Sequence, residues 1–334
     1  MTIESVLVTG GGGCIGLEVC AELNRRGAKV RLFDLPEQVL RVRNAITQGV
    51  EIFFGSVLDS SSLRDAMDGC DAVIHLAAML GVRRTELNKL RCLEINVDGS
   101  KRVLECAIQH RIRKIVFASS SEVYGEPIHN PVDENAPTFG KSVYAVSKLM
   151  GEELCKAYAQ RYPGFSYTIL RYFNTYGLYQ TAQFVIPKFV ANVLKRKPPV
   201  IYGDGTQRRS YCFASDVAWA TVEALVRKEA NGQVLNIGSG ARAIDLWDLA
   251  RLVIALSGDY GEILPIQQPD FTFTDRPADR EVAARICDAT KAREMLGFTP
   301  HVSLEEGIQQ LIRSGAIFER WETTELEYVQ DDLV

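Results

Sequence analysis

The run Val6-Leu7-Val8-Thr9-Gly10-Gly11-Gly12-Gly13-Cys14-Ile15-Gly16 constrains the fold more than any other part of the chain, because an apolar strand ends there in a glycine turn that opens a helix. Gly10, Gly13 and Gly16 stand in the spacing GxxGxxG. In such a turn one glycine permits the tight bend, one lets a pyrophosphate approach the backbone, and one lets helix and strand pack closely. The helix N-terminus adds N–H groups and a partial positive charge aimed at phosphate. A second β-like run, Val30 to Asp34, ends in a carboxylate 24 residues after Gly10 (34 − 10), near the distance at which an acid reaches the adenosine ribose. Together these features predict a dinucleotide site. Asp34 selects NAD, because it would repel the 2′-phosphate of NADP.

Short β-rich runs at 3–8, 29–33, 50–54, 71–76, 112–118 and 166–171 alternate with helical patterns at about 14–26, 59–68, 87–110 and 143–161. That alternation predicts an α/β fold with right-handed crossovers, a doubly wound parallel sheet covered on both faces. Ser142 is expected to cap the last of these helices, and Pro163-Gly164 to stop it. After Asn174 the alternation lapses into a stretch punctuated by Pro187, Pro198-Pro199, Gly203 and Gly205. Val234-Leu235-Asn236-Ile237-Gly238 then reads as one more strand returning to the sheet. The expected organisation is an NAD-binding domain over 1–173, joined again by 214–238. A smaller C-terminal substrate domain, 174–213 and 239–315, is interleaved with it, and 316–334 forms an acidic tail.

A net charge of −4 with no basic block excludes nucleic acid as a natural partner, and no apolar run is long enough to span a membrane. The first residues, Met-Thr-Ile-Glu-Ser, lead straight into the first strand and leave no room for a signal peptide, so a cytoplasmic chain is expected. Its eight cysteines lack CxxC or Cys/His metal spacing and read as buried reduced thiols, with no metal.

Tyr144 and Lys148 are four residues apart and share one face of a helix. A free tyrosine titrates near pH ~10, and lowering that by about three units takes roughly 4 kcal/mol of preferential phenolate stabilisation. Lys148 and an oxidised nicotinamide could share that task. The strand ending at Ala118 delivers Ser119-Ser120-Ser121-Glu122 at its carboxyl end, where ligands bind in doubly wound sheets. One of these serines is placed to hydrogen-bond a substrate hydroxyl.

With these residues the chain resembles the extended short-chain dehydrogenase/reductase family, the Rossmann-fold nucleotide-sugar epimerases, dehydratases and decarboxylases. The resemblance covers about 3–315. It rests on the glycine loop, Asp34, His75-Leu76-Ala77-Ala78, Asn96-Val97-Asp98-Gly99, the serine strand, Tyr144/Lys148, Arg171-Tyr172-Phe173-Asn174, and Gly203-Asp204-Gly205-Thr206-Gln207-Arg208-Arg209. It implies that Tyr144 is the base, that Lys148 holds the nicotinamide ribose, and that Ser120 bonds the reacting hydroxyl. Cofactor contacts are implied at Gly10, Gly13, Cys14, Ile15, Gly16, Asp34, Ser56, Val57, Leu76, Ala77, Ala78 and Asn96, besides Tyr144 and Lys148. Ser121, Asn174 and Arg209 would hold a nucleotide-diphosphate sugar, with Arg276 as a second diphosphate clamp. Where the family commonly has Gly-Asp for the adenine, this chain has Gly55-Ser56, which weakens that contact.

The family's shared first step converts the sugar 4-hydroxyl to a ketone, and the fate of that ketone separates epimerase, 4,6-dehydratase and uronic-acid decarboxylase. Many 4,6-dehydratases carry Asp-Glu where this chain has Ser121-Glu122, which counts against the commonest dehydratases, although Ser-Glu also occurs in uronic-acid decarboxylases and in GDP-mannose dehydratases. Glu122 is kept as a catalytic candidate, although its plain reading is a carboxylate bonded to backbone amides. Arg285 lies near the position of a decarboxylase arginine, although a surface salt bridge is its plainer reading. Against decarboxylation, the sequence around Tyr144 lacks the decarboxylases' Tyr-Asp-Glu-Gly-Lys. The expected activity is therefore 4-epimerisation, with decarboxylation and dehydration as alternatives. A regulatory protein that binds NAD without turnover is the reading from another class. Family members pair through two helices, here about 87–110 and 143–161, so a homodimer is expected. Leu93, Val97, Leu104, Leu149 and Leu154 are the candidate contacts, and an intrachain core explains the same residues equally well.

Overall fold

The computed structural model describes residues 3–181, 183–240, 243–258, 263–268 and 281–315. Its centre is a seven-stranded sheet in the order Gln233–Ile237, Ser166–Tyr172, Lys114–Ser120, Ala72–His75, Ser5–Thr9, Lys29–Asp34, Glu51–Phe54. Every neighbouring pair is parallel. The strand Ser5–Thr9 lies between Ala72–His75 and Lys29–Asp34, so the chain winds outward in both directions from it. This switch point opens a crevice at the carboxyl ends of the central strands.

The strands are buried on both faces because each side carries its own apolar cluster. On one side Val6, Val8, Val30 and Leu32 pack with Val19, Val217 and Leu225 of helices Cys14–Arg25 and Ala214–Val226. On the other, Leu7, Val73, Ile115 and Phe117 meet Leu63, Val103 and Cys155 of helices Ser60–Met67, Gly99–Gln109 and Val143–Arg161. A third cluster, built on Phe189, Leu249 and Leu311, joins helices Val185–Leu194, Leu246–Leu256 and Leu304–Ser314. Three short parallel strand pairs lie outside the main sheet: Thr175–Tyr176 with Cys212–Phe213, Val200–Tyr202 with Ile266–Gln268, and Arg208–Arg209 with Ala284–Arg285.

Two elements differ from the sequence expectation. The single helix expected over 87–110 is broken into Val82–Leu87, Lys89–Leu93, a π-helical turn at Glu94–Asp98, and Gly99–Gln109. The extra residue in that wide turn carries Asn96 inward, where it is 2% exposed. The helix Pro36–Arg41, with proline in its first turn, escapes a periodicity reading because it spans less than two turns. The residues 316–334, expected as an acidic tail, lie outside the described part of the chain, as does Arg276.

Candidate active site

A cavity of about 640 Å³ lies over the carboxyl ends of the strands. At one end the glycine turn meets the loop after His75. Gly10 has φ 72°, and a Cβ there would lie 2.6 Å from the Ala77 backbone nitrogen. A Cβ at Gly16 would lie 2.3 Å from the Gly10 carbonyl oxygen, so neither position tolerates a side chain. Gly13 is less crowded, its nearest clash being 3.2 Å from the Gly10 oxygen, and it stands at the N-cap of helix Cys14–Arg25 facing the cavity. The third glycine role thus falls to Gly13, whose bare backbone leaves room for a pyrophosphate at the positive end of the helix. The Asp34 carboxylate accepts the Gly12 N–H at 2.9 Å and the Leu35 N–H at 2.8 Å. It stands at the cavity wall with Ser56 and Val57. These residues fit a dinucleotide: a backbone cradle for phosphates, with a carboxylate one strand away for the ribose hydroxyls.

At the other end the serine strand and the helix Val143–Arg161 converge. The Ser142 hydroxyl accepts the Ala145 N–H at 3.1 Å, which fixes the start of the helix one residue before its functional face begins. The Ser120 hydroxyl is hydrogen-bonded to the Tyr144 phenol. Lys148 is 4% exposed, donates to the Ala118 carbonyl at 2.8 Å, and holds its ammonium 5.7 Å from the centre of the Tyr144 ring. Burial lowers Lys148 to about 8. Burial also pushes the Tyr144 phenol above the usual tyrosine range, and the Glu122 carboxylate pushes it further, while the Ser120 hydrogen bond and the Arg285 guanidinium pull it down. The same burial weakens the charged form of both groups.

The cavity gathers Gly10, Gly13, Cys14, Ile15, Gly16, Asp34, Ser56, Val57, Leu76, Ala77, Ala78, Ser120, Ser121, Glu122, Tyr144, Lys148 and Asn174. Asn96 and Arg209 are not among its lining residues. The Asn96 side chain accepts the Met79 N–H at 2.7 Å, and donates to the Met79 carbonyl at 3.0 Å and to Ser147 at 2.9 Å. It ties the loop after His75 to the helix Val143–Arg161. Arg209 is turned to backbone carbonyls, chiefly Val282 at 2.7 Å.

Glu122 accepts from the Ser142 hydroxyl at 3.3 Å. Arg285 departs from its plain reading. It is 5% exposed, lines the cavity, and acts on the phenol electrostatically, so it is no surface salt bridge. Its burial comes from the strand pair with Arg208–Arg209, a tertiary contact with no local pattern. Beneath the serine strand lies a buried network that the sequence did not reveal. Glu152 accepts from Ser119 at 2.6 Å and pairs with Arg171 at 2.8 Å, and Arg171 donates to Tyr124 at 2.9 Å. Burial pushes Tyr124 up to about 12. All eight cysteines are thiols, and all but Cys14 are buried. Among the described residues no helix is long and apolar enough to cross a membrane, and no cluster of potential metal ligands occurs.

Comparison with known proteins places this geometry. The chain is 33% identical over 316 residues to the UDP-N-acetyl-alpha-D-glucosaminuronate decarboxylase of Bacillus cytotoxicus, covering 92% of this chain and 96% of that protein. It is 35% identical over 314 residues to a putative UDP-glucose 4-epimerase of Methanocaldococcus jannaschii, covering 92% and 97%. The crystal structure of UDP-glucuronic acid 4-epimerase from Bacillus cereus, in complex with UDP-glucuronic acid and NAD, superposes with a TM-score of 0.83 at 27% identity, covering 93% of this chain and 99% of that one. The model of the NAD dependent epimerase/dehydratase family matches residues 6–238, the stretch that holds the glycine cradle, the serine strand and the Tyr144 helix. NAD is the cofactor that this cradle serves, and the chain belongs to the NAD-dependent epimerase/dehydratase family of enzymes.

Proposed function

We propose that the enzyme is a nucleotide-sugar 4-epimerase that works through a transient 4-keto sugar. The observation that carries this reading is the meeting of Ser120, Tyr144 and Lys148 at one end of the cavity, beside Ser121 where a dehydratase would need a carboxylic acid. NAD, when bound, supplies the hydride acceptor and donor. Gly10, Gly13 and Gly16 would hold its pyrophosphate, Asp34 its adenosine ribose and Lys148 its nicotinamide ribose. Tyr144 removes the proton of the sugar 4-hydroxyl and later returns one, Ser120 aligns that oxygen, and Lys148 with Arg285 favours the phenolate. Asn174, which lines the cavity and donates to the Ser210 carbonyl at 3.3 Å, faces the sugar nucleotide. Residues 1–173 with 214–238 form the cofactor domain of this proposal, and 174–213 with 239–315 the substrate domain. A homodimer and a cytoplasmic location belong to it too, the latter supported by eight cysteines held as thiols.

A second reading, decarboxylation of a nucleotide uronic acid, is favoured by one observation. Glu122 and the buried Arg285 line the same cavity as Tyr144, so a guanidinium is available to a sugar carboxylate bound there. Incubation with UDP-, GDP-, CDP- and dTDP-sugars, uronic acids included, followed by mass spectrometry separates the readings. Unchanged mass with a new stereoisomer supports epimerisation, loss of carbon dioxide the second reading, and loss of water a dehydratase. Glu122→Gln keeps substantial activity in an epimerase. A loss as deep as that of a Tyr144 variant, with NAD still bound, rules for decarboxylation or dehydration.

A further inference from the structure

We propose that Glu152 and Arg171 are positioning residues: their buried ion pair fixes the backbone on both sides of Ser120 to the helix that carries Tyr144, so that Ser120 and Tyr144 reach one substrate oxygen together. The inference rests on the proposed function, in which Ser120 aligns the oxygen that Tyr144 deprotonates.

Tyr144, Lys148 and Glu152 recur every four residues along one face of helix Val143–Arg161. Two of them grip successive residues of the serine strand: Lys148 donates to the Ala118 carbonyl at 2.8 Å, and Glu152 accepts the Ser119 hydroxyl at 2.6 Å. Ser119 and Arg171 are register partners in the parallel sheet, so their side chains share a face. The Arg171 guanidinium therefore meets the same carboxylate, Nε to Oε1 at 2.9 Å and Nη2 to Oε2 at 2.8 Å. Its third arm, Nη1, donates to the Tyr124 phenol at 2.9 Å. Tyr124 donates in turn at 2.7 Å to Asn236, the register partner of Arg171 on the next strand. All five side chains are buried, and neither Glu152 nor Arg171 lines the cavity.

A buried ion pair adds little to stability, because desolvation of both charges offsets their attraction, and packed apolar side chains would hold the same elements as firmly. What a two-pronged guanidinium–carboxylate pair adds is direction. Here that direction is applied to a short stretch of backbone. Ser119 is bonded to Glu152 and Tyr124 to Arg171, and Ser120 stands between these two anchors, at the end of strand Lys114–Ser120 and on the cavity wall with Tyr144. One half of the pair belongs to the Tyr144 helix itself. The spacing of Ser120 and Tyr144 is thus set from beneath the cavity. Lys148 keeps its separate bond to Ala118, so loosening the Ser119 link leaves the ribose contact of the proposed function in place.

The test measures kcat and, by calorimetry, NAD affinity for Ser119→Ala, Ser120→Ala and the double variant. Ser119→Ala is expected to lower kcat by about tenfold, since small misplacements of reacting groups are costly, and to change NAD affinity by less than about threefold. The double variant is expected to be no slower than Ser120→Ala alone, because Ser119 acts only through Ser120. Losses that multiply, or Ser119→Ala with wild-type kcat, overturn the proposal. Arg171→Lys keeps the buried charge without the two-pronged geometry. It is expected to retain more of the thermal stability that Arg171→Met loses, without recovering kcat. Recovery of both together would make the pair purely structural and overturns the proposal; if neither Arg171 variant folds, the serine series decides. Crystal structures of NAD-loaded wild type and Ser119→Ala give an independent readout. A lengthened Ser120–Tyr144 separation supports the proposal, and an unchanged one overturns it. If the wild type converts no nucleotide sugar, the functional reading fails, while that separation still decides this one.

Discussion

Tyr144 carries a single oxygen whose chemistry no neighbour duplicates, and its removal is the sharpest test of the site. Tyr144→Phe is expected to lower kcat by about 10²–10⁴-fold, the usual worth of a positioned base, with NAD affinity measured by calorimetry unchanged. A buried neighbour yields a different prediction. His75 is 2% exposed, bonded to Thr9 at 2.6 Å and Ser100 at 3.0 Å, and burial lowers its pKa to about 3, with Lys148 adding to the effect. Between the folded value and about 6.5 in the unfolded chain, the unfolded state binds the extra proton. Stability therefore falls as pH drops from about 6.5 towards 3, by up to about 1.4 kcal/mol per pH unit from this residue. Urea unfolding at pH 6.5 and 5 should show a steeper acid loss in the wild type than in His75→Asn. Equal slopes would mean that His75 is not held neutral.

The Tyr144 helix and the serine strand function as a pair because they touch through a glycine. Gly151, one turn beyond Lys148, lies so close to the strand that an added Cβ would stand 2.2 Å from Phe117 Cζ. Phe117 is 1% exposed and has nowhere to retreat. Gly151→Ala is thus expected to destabilise the fold by about 1–3 kcal/mol as an overpacked core contact. By moving the helix off the strand it should lower kcat more than NAD affinity. A denaturant titration with a kcat measurement checks both, and a variant with wild-type kcat would show that Ser120 and Tyr144 tolerate the displacement. The glycine was visible in the sequence, but not its partner 34 residues earlier (151 − 117), since that contact arises from the crossover.

For the whole molecule, exposed apolar side chains give the homodimer of the proposed function a testable contact surface. Among the expected contacts Leu104 is 1% exposed in the core, whereas Leu93, Val97, Leu149 and Leu154 are half-buried. More exposed are Leu87 (66%), Leu90 (78%), Val146 (45%) and Met150 (47%), on the outer faces of the neighbouring helices Val82–Leu87, Lys89–Leu93 and Val143–Arg161. Clustered exposed side chains of this kind mark an association surface. Light scattering is expected to report a dimer at micromolar concentration. The double variant Leu90→Glu, Met150→Glu should be monomeric with its NAD site intact. A monomeric wild type, or a variant that remains dimeric, would place the interface elsewhere or nowhere.

Local pattern alone was enough for six strands, the helices Cys14–Arg25 and Val143–Arg161, the Ser142 cap and the strand returning at Gln233–Ile237. It also marked the glycine turn, Asp34, the serine run 119–121, Tyr144 and Lys148 as candidates, because each depends on spacing within one turn, one helix face or one strand end, while the choice of Ser120 came from the family resemblance. What the linear chain could not convey is which distant groups share a neighbourhood. Asn96, on the π-helical turn, is bonded to Met79 and Ser147, partners 17 and 51 positions away. The pair Glu152 and Arg171 forms only when a helix settles on the sheet. The burial of Arg285 requires a two-residue strand to find Arg208–Arg209 across a gap of 76 positions (285 − 209). Periodicity and capping are properties of bonded neighbours and survive in a linear reading. The electrostatics of the Tyr144 phenol depend on burial and on charges brought together through space, and these exist only once the chain has closed on itself.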